Sequence, residues 1–72
     1  MEELRVYLQA GFPAIDFDRT DLIDSGMLDS ITLVSLIASL EEKYGIEITM
    51  DYIIPENFNS LEAMWEMIEE LA

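Results

Sequence analysis

The sequence predicts a small all-α protein, a four-helix bundle of three longer helices plus one short third helix, with a long loop between the first and second helices. Three observations carry this. Apolar residues recur at helical spacing in three separate stretches: Leu4/Tyr7/Leu8, Leu33/Leu36/Ile37/Leu40/Tyr44 and Leu61/Met64/Trp65/Ile68. The one stretch that alternates, Ile46 and Ile48 with Glu47 and Thr49, is too short to build a sheet. A chain of 72 residues without cysteine has no staple, so its 51% apolar residues must make the core by compact helix packing. Residues 1–72 are read as one domain.

The first helix is expected over Glu2 to Ala10, with Glu2 and Glu3 at the end where the helix dipole favours acid, and with Gly11 and Pro13 ending it. From Ala14 to Gly26, acidic and hydroxyl residues surround isolated apolar ones. That is the pattern of a loop pinned to a core, with Leu22 and one or both of Ile15 and Phe17 as the pins. The loop's acids do not make a calcium site. A calcium loop starting at Asp16 needs glycine sixth and glutamate twelfth, and the chain has Asp21 and Met27 there.

The strongest helical signal runs from Ser30 to Tyr44, about four turns, with Gly45 as its stop. Ile46 and Ile48 then anchor an extended connector, and Thr49 is placed to cap a brief turn over Met50-Asp51-Tyr52. The short third helix falls within Asp51 to Phe58, with Pro55 suited to a first helical position and Asn59 ending it. Asn59 or Ser60 caps the last helix, Glu62 stands three residues after Asn59 as in a capping box, and the stripe ends near Leu71.

Composition narrows the chemistry. Without histidine or cysteine, the chain lacks the commonest general base, thiolate ligands and a thiol nucleophile. No set of base, nucleophile and metal can be assembled, so a self-sufficient enzyme is not expected. Sixteen acidic residues against Arg5, Arg19 and Lys43 give a net charge of −13, which repels nucleic acid and anionic lipid and leaves basic surfaces as partners. Met1-Glu2-Glu3 lacks the positive start of a signal peptide, and no apolar run approaches the roughly 20 residues of a membrane span. The chain is therefore read as cytoplasmic, and it is expected to be a monomer.

The second helix is apolar on two sides. Leu33, Leu36, Ile37, Leu40 and Tyr44 make the core face, while Ile31, Val34 and Ala38 lie roughly 100 to 160° away from it. Glu41 and Glu42 follow on that second side. An apolar strip edged with acid marks a docking surface, although scattered exposed apolar residues are also normal on any protein. At its head, Asp29 and Ser30 both occupy positions suited to an N-cap. A capping serine contributes about 0.5 to 2 kcal/mol. The same place suits a phosphate ester, whose charge the helix start stabilises.

Leu28-Asp29-Ser30-Ile31, the apolar stripe that follows it, Glu41-Glu42-Lys43-Tyr44-Gly45-Ile46-Glu47-Ile48 and Pro55-Glu56-Asn57-Phe58-Asn59-Ser60-Leu61 together resemble the acyl carrier protein family, from about Leu22 to Leu71. The resemblance implies that a separate phosphopantetheinyl transferase esterifies Ser30 with 4′-phosphopantetheine from coenzyme A. It also implies that Asp29 helps position the metal used in that transfer, and that Ile31, Val34, Ala38, Glu41 and Glu42 dock partner enzymes. The implied partners are that transferase, an acyl- or aminoacyl-loading ligase, and synthase or transferase enzymes with basic patches. The chain departs from the family at Ser35, where many members carry glutamate, and in its short first helix. The run Ser25 to Ser30 also resembles free-standing aminoacyl or D-alanyl carriers. An unmodified acidic module that binds a basic partner through the strip is the reading from a different class.

Overall fold

The computed structural model describes Met1–Ala72 and contains helices but no strands, as the periodicities predict. Helix α1 spans Glu2–Gly11, one residue beyond the expected end, because Phe12 still donates its N–H to the Leu8 carbonyl at 2.8 Å. Helix α2 spans Ser30–Tyr44 and stops at Gly45, whose left-handed backbone (φ 63°) is a conformation glycine adopts without steric cost.

The expected short third helix is two pieces. A 3₁₀ turn covers Met50–Tyr52, and α3 covers Pro55–Phe58 with Pro55 at its start. Thr49 precedes the 3₁₀ turn without capping it, because its hydroxyl is bonded to the Asp51 carboxylate instead.

Helix α4 spans Leu61–Leu71. Its cap is Ser60, which accepts the Ala63 N–H at 3.1 Å, so the expected box between Asn59 and Glu62 does not form. Asn59 is occupied elsewhere: its side chain reaches the first loop.

All elements share one core. Leu4 and Leu8 of α1, Leu36 and Leu40 of α2, Phe58 of α3, and Leu61, Met64, Met67 and Ile68 of α4 are buried. The long loop contributes Ile15, Phe17 and Leu22, so all three proposed pins are driven inside, and Leu28 joins them. Leu33, Ile37, Tyr44 and Trp65 are partly buried against this cluster. On α4 the apolar face is turned slightly from expectation, with Met67 buried and Trp65 at the edge, where its ring meets Tyr44 edge-on at 6.0 Å.

Charge is used sparingly in holding the fold. Arg5 pairs with Glu2 at 3.6 Å and with Asp18, tying α1 to the loop. Arg19 grips Asp21 at 2.9 Å. Lys43 reaches Glu3 at 3.2 Å and lies 4.7 Å from the Tyr7 ring centre, tying α2 to α1. Both arginines and the one lysine are thus paired inside the molecule.

The Tyr44 hydroxyl is buried with no hydrogen-bond partner, and burial raises its pKa. An unmatched buried hydroxyl carries a desolvation cost that phenylalanine lacks. Tyr44→Phe is expected to raise stability by about 1 kcal/mol, measured as the shift in denaturant midpoint at constant slope.

Candidate functional site

The site is built by the last residues of the loop and the first turn of α2. Leu22 and Leu28, both buried, bracket a tight loop that closes when the Leu28 N–H donates to the Leu22 carbonyl at 2.9 Å. Between them Gly26 takes φ 80°, which side-chain-bearing residues rarely adopt. Leu28 stands just before the cap residue and Leu33 four positions into the helix, the two places of a hydrophobic staple, and both join the core. The chain therefore enters α2 at a fixed angle.

Asp29, not Ser30, is the cap. Its backbone is extended, and its Oδ1 accepts the Thr32 N–H at 2.8 Å. That bond favours the ionised form and holds the Asp29 carboxyl below its ordinary pKa. A depressed pKa means that the stabilisation is present above the unfolded-state value and is lost as pH falls through the folded one. Asp29→Ala is expected to melt earlier than wild type at neutral pH, with the gap narrowing in acid below the usual carboxylate range; thermal melts across pH check this.

Ser30 is left as the first residue of the helix, exposed and free of the capping duty the sequence also allowed it. Its surroundings fit an esterified phosphate. The first turn of α2 carries no acidic residue, whereas Glu2 and Glu3 open α1, Asp51 the 3₁₀ turn, Glu56 α3 and Glu62 α4. The one carboxylate at this helix start is the cap itself, Asp29, whose Oδ1 is engaged by the Thr32 N–H, and the first turn adds no further negative charge beside Ser30.

Along α2 from Ser30, Ile31 is 81% and Val34 68% exposed, with Ala38 and Glu42 also on the surface. Glu41 has a different employment from Glu42. It is half-buried, and its Oε2 accepts the Ile48 N–H at 2.9 Å, pinning the connector against the end of α2. Glu41 is thus an internal anchor, and the free acid on this side is Glu42. Periodicity missed Met50, 86% exposed, and Ile53 and Ile54, which add apolar surface beyond α2. Their isolation between helices left no repeating pattern to flag them.

No helix is long and apolar enough to cross a membrane. No curated protein and no solved structure matches the chain. The family model of the phosphopantetheine attachment site does match, over residues 7–68, which takes in the closing loop, Asp29-Ser30, α2 and most of α4. With a match over most of its length and an exposed serine at the start of its longest helix, the chain belongs to the phosphopantetheine attachment family, carrier domains that hold 4′-phosphopantetheine covalently and work with modifying and partner enzymes.

Proposed function

We propose that residues 1–72 form one acyl carrier domain, in which Ser30 bears the 4′-phosphopantetheine arm and fatty-acyl-like or polyketide-like intermediates ride on it as thioesters. The observation that carries this reading is Ser30 itself, exposed at the first position of α2 behind a separate cap and inside the matched segment. In the transfer, Ser30 Oγ forms the new bond to the pantetheine phosphorus of coenzyme A. The bond from that phosphorus to adenosine 3′,5′-bisphosphate breaks, and the hydroxyl proton passes to the transferase. Asp29 spends one oxygen on the Thr32 cap and, in this reading, offers the other to the transferase's metal.

The arm supplies the thiol that this cysteine-free chain lacks. The protein supplies the address and the tether. Tethering raises the effective concentration of cargo at each enzyme visited. Ile31, Val34 and Ala38 form the apolar part of the docking face and Glu42 its acidic edge. Because Arg5, Arg19 and Lys43 are all paired internally, the remaining carboxylates are available to steer basic partners. A loading ligase and basic-patched synthases or transferases complete the partner set.

The second reading, a free-standing aminoacyl or D-alanyl carrier, is favoured by the Ser25–Ser30 run. Loading separates the two. The phosphopantetheinylated protein is offered to fatty-acyl and aminoacyl ligases with ATP, and thioesters are read by intact mass before and after hydroxylamine. A hydroxylamine-labile acyl adduct is expected; an aminoacyl adduct alone selects the second reading, and no thioester from either contradicts both.

A further inference from the structure

Asn59 lies between α3 and α4, far along the chain from Ser30, yet nearly every polar group it has is turned to holding the loop that leads into Ser30. Its own N–H closes α3 on the Pro55 carbonyl at 2.9 Å. Its carbonyl accepts the Leu22 N–H at 2.9 Å. Its Oδ1 accepts two further loop N–H groups, from Ile23 at 2.9 Å and Asp24 at 3.1 Å, and its Nδ2 donates to Asp24 Oδ2 at 3.2 Å. Three consecutive loop residues, Leu22, Ile23 and Asp24, are thus held by one asparagine. Leu22 in turn accepts from Leu28, the residue before the Asp29 cap.

We infer that Asn59 is a positioning residue for the modification of Ser30, a latch that holds the Leu22–Leu28 loop in the shape the phosphopantetheinyl transferase must meet. This rests on the reading of Ser30 as the attachment residue. Asn59 touches none of the reacting atoms and acts through the loop. Oδ1 satisfies two backbone donors at once, so replacing it by a methyl group frees both and lets the loop sample other shapes. A transferase that binds only the latched shape then meets a smaller competent fraction, and the apparent KM rises by the inverse of that fraction while kcat, set in the bound complex, stays.

The test is steady-state transfer from coenzyme A, at saturating coenzyme A and varied protein, on wild type, Asn59→Ala and Ile68→Val. The last is a buried change on α4 that lowers stability but removes none of the side-chain hydrogen bonds that hold the loop. Asn59→Ala, which removes all three side-chain bonds to the loop, is expected to raise KM roughly tenfold at unchanged kcat, with Ile68→Val at the wild-type KM. The exchanged pair Asn59→Asp with Asp24→Asn keeps both acceptor bonds and reverses the third, so it is expected to recover most of the loss. If Asn59→Ala does not fold, Asp24→Ala at an exposed position carries the same test, with a rise of about threefold for its single lost bond.

A KM for Asn59→Ala equal to that of Ile68→Val, or an exchanged pair no better than the single variant, overturns the latch while leaving the carrier reading intact. Failure of wild type itself to be modified overturns both.

Discussion

Ser30→Ala is expected to abolish cargo loading entirely while leaving thermal stability at or slightly above that of wild type. The stability half follows from the cap assignment. Asp29 makes the bond to Thr32, Ser30 is an exposed first-turn residue, and alanine is the better helix former. The functional half follows from the hydroxyl being the only point on the chain to which the arm is assigned. Had Ser30 been the cap, the variant would lose about 0.5 to 2 kcal/mol. A clear fall in melting temperature therefore contradicts the local structure, and retained loading contradicts the attachment site, so the two failures are read separately.

Val34→Glu is the second large effect. Val34 is 68% exposed on the side of α2 away from Leu36 and Leu40, and glutamate is a good helix former. The fold should be indifferent. A partner that seats an apolar pocket on Val34, however, must bury a carboxylate there, and a central contact of this kind costs on the order of tenfold or more in affinity. The expected result is an unchanged melting temperature with weakened binding to a partner enzyme, measured by titration at fixed salt. Leu36→Ala provides the contrast. It removes a fully buried side chain and should cost about 2 to 5 kcal/mol. If Val34→Glu unfolds as Leu36→Ala does, the two-faced description of α2 is wrong; if binding is unchanged, docking lies elsewhere, with Met50, Ile53 and Ile54 the next surface to vary.

Much of the architecture was legible because its signals are local. The limits of α2 follow from a run of apolar residues at helical spacing that ends on a glycine, and the pins of the long loop from apolar residues with no helical partners nearby. What was not legible depends on choices that local pattern leaves open or on partners far along the chain. Asp29 and Ser30 are adjacent polar residues, each able to accept from an N–H three positions on. The choice of cap is settled by Leu28, whose burial in the core sets the entry of the chain one residue earlier. Glu41 and Glu42 look alike in sequence, but only the connector's return past the end of α2 brings the Ile48 N–H to one of them. Asn59 read as a helix cap because asparagine before a helix usually is one. Its actual partners lie 35 and 36 residues away, a separation no periodicity reports. Met67 takes a buried place that the stripe of Leu61, Met64, Trp65 and Ile68 does not include, while Trp65 stays partly buried in a T-shaped contact with Tyr44.

The attachment of the arm to Ser30 is tested most directly by incubating the wild-type protein with coenzyme A, magnesium and a promiscuous phosphopantetheinyl transferase, then reading intact mass and fragmenting the product. The expected result is a gain of one phosphopantetheine, located by fragmentation on Ser30 and absent from Ser30→Ala. No gain on wild type, or an equal gain on Ser30→Ala, would contradict it.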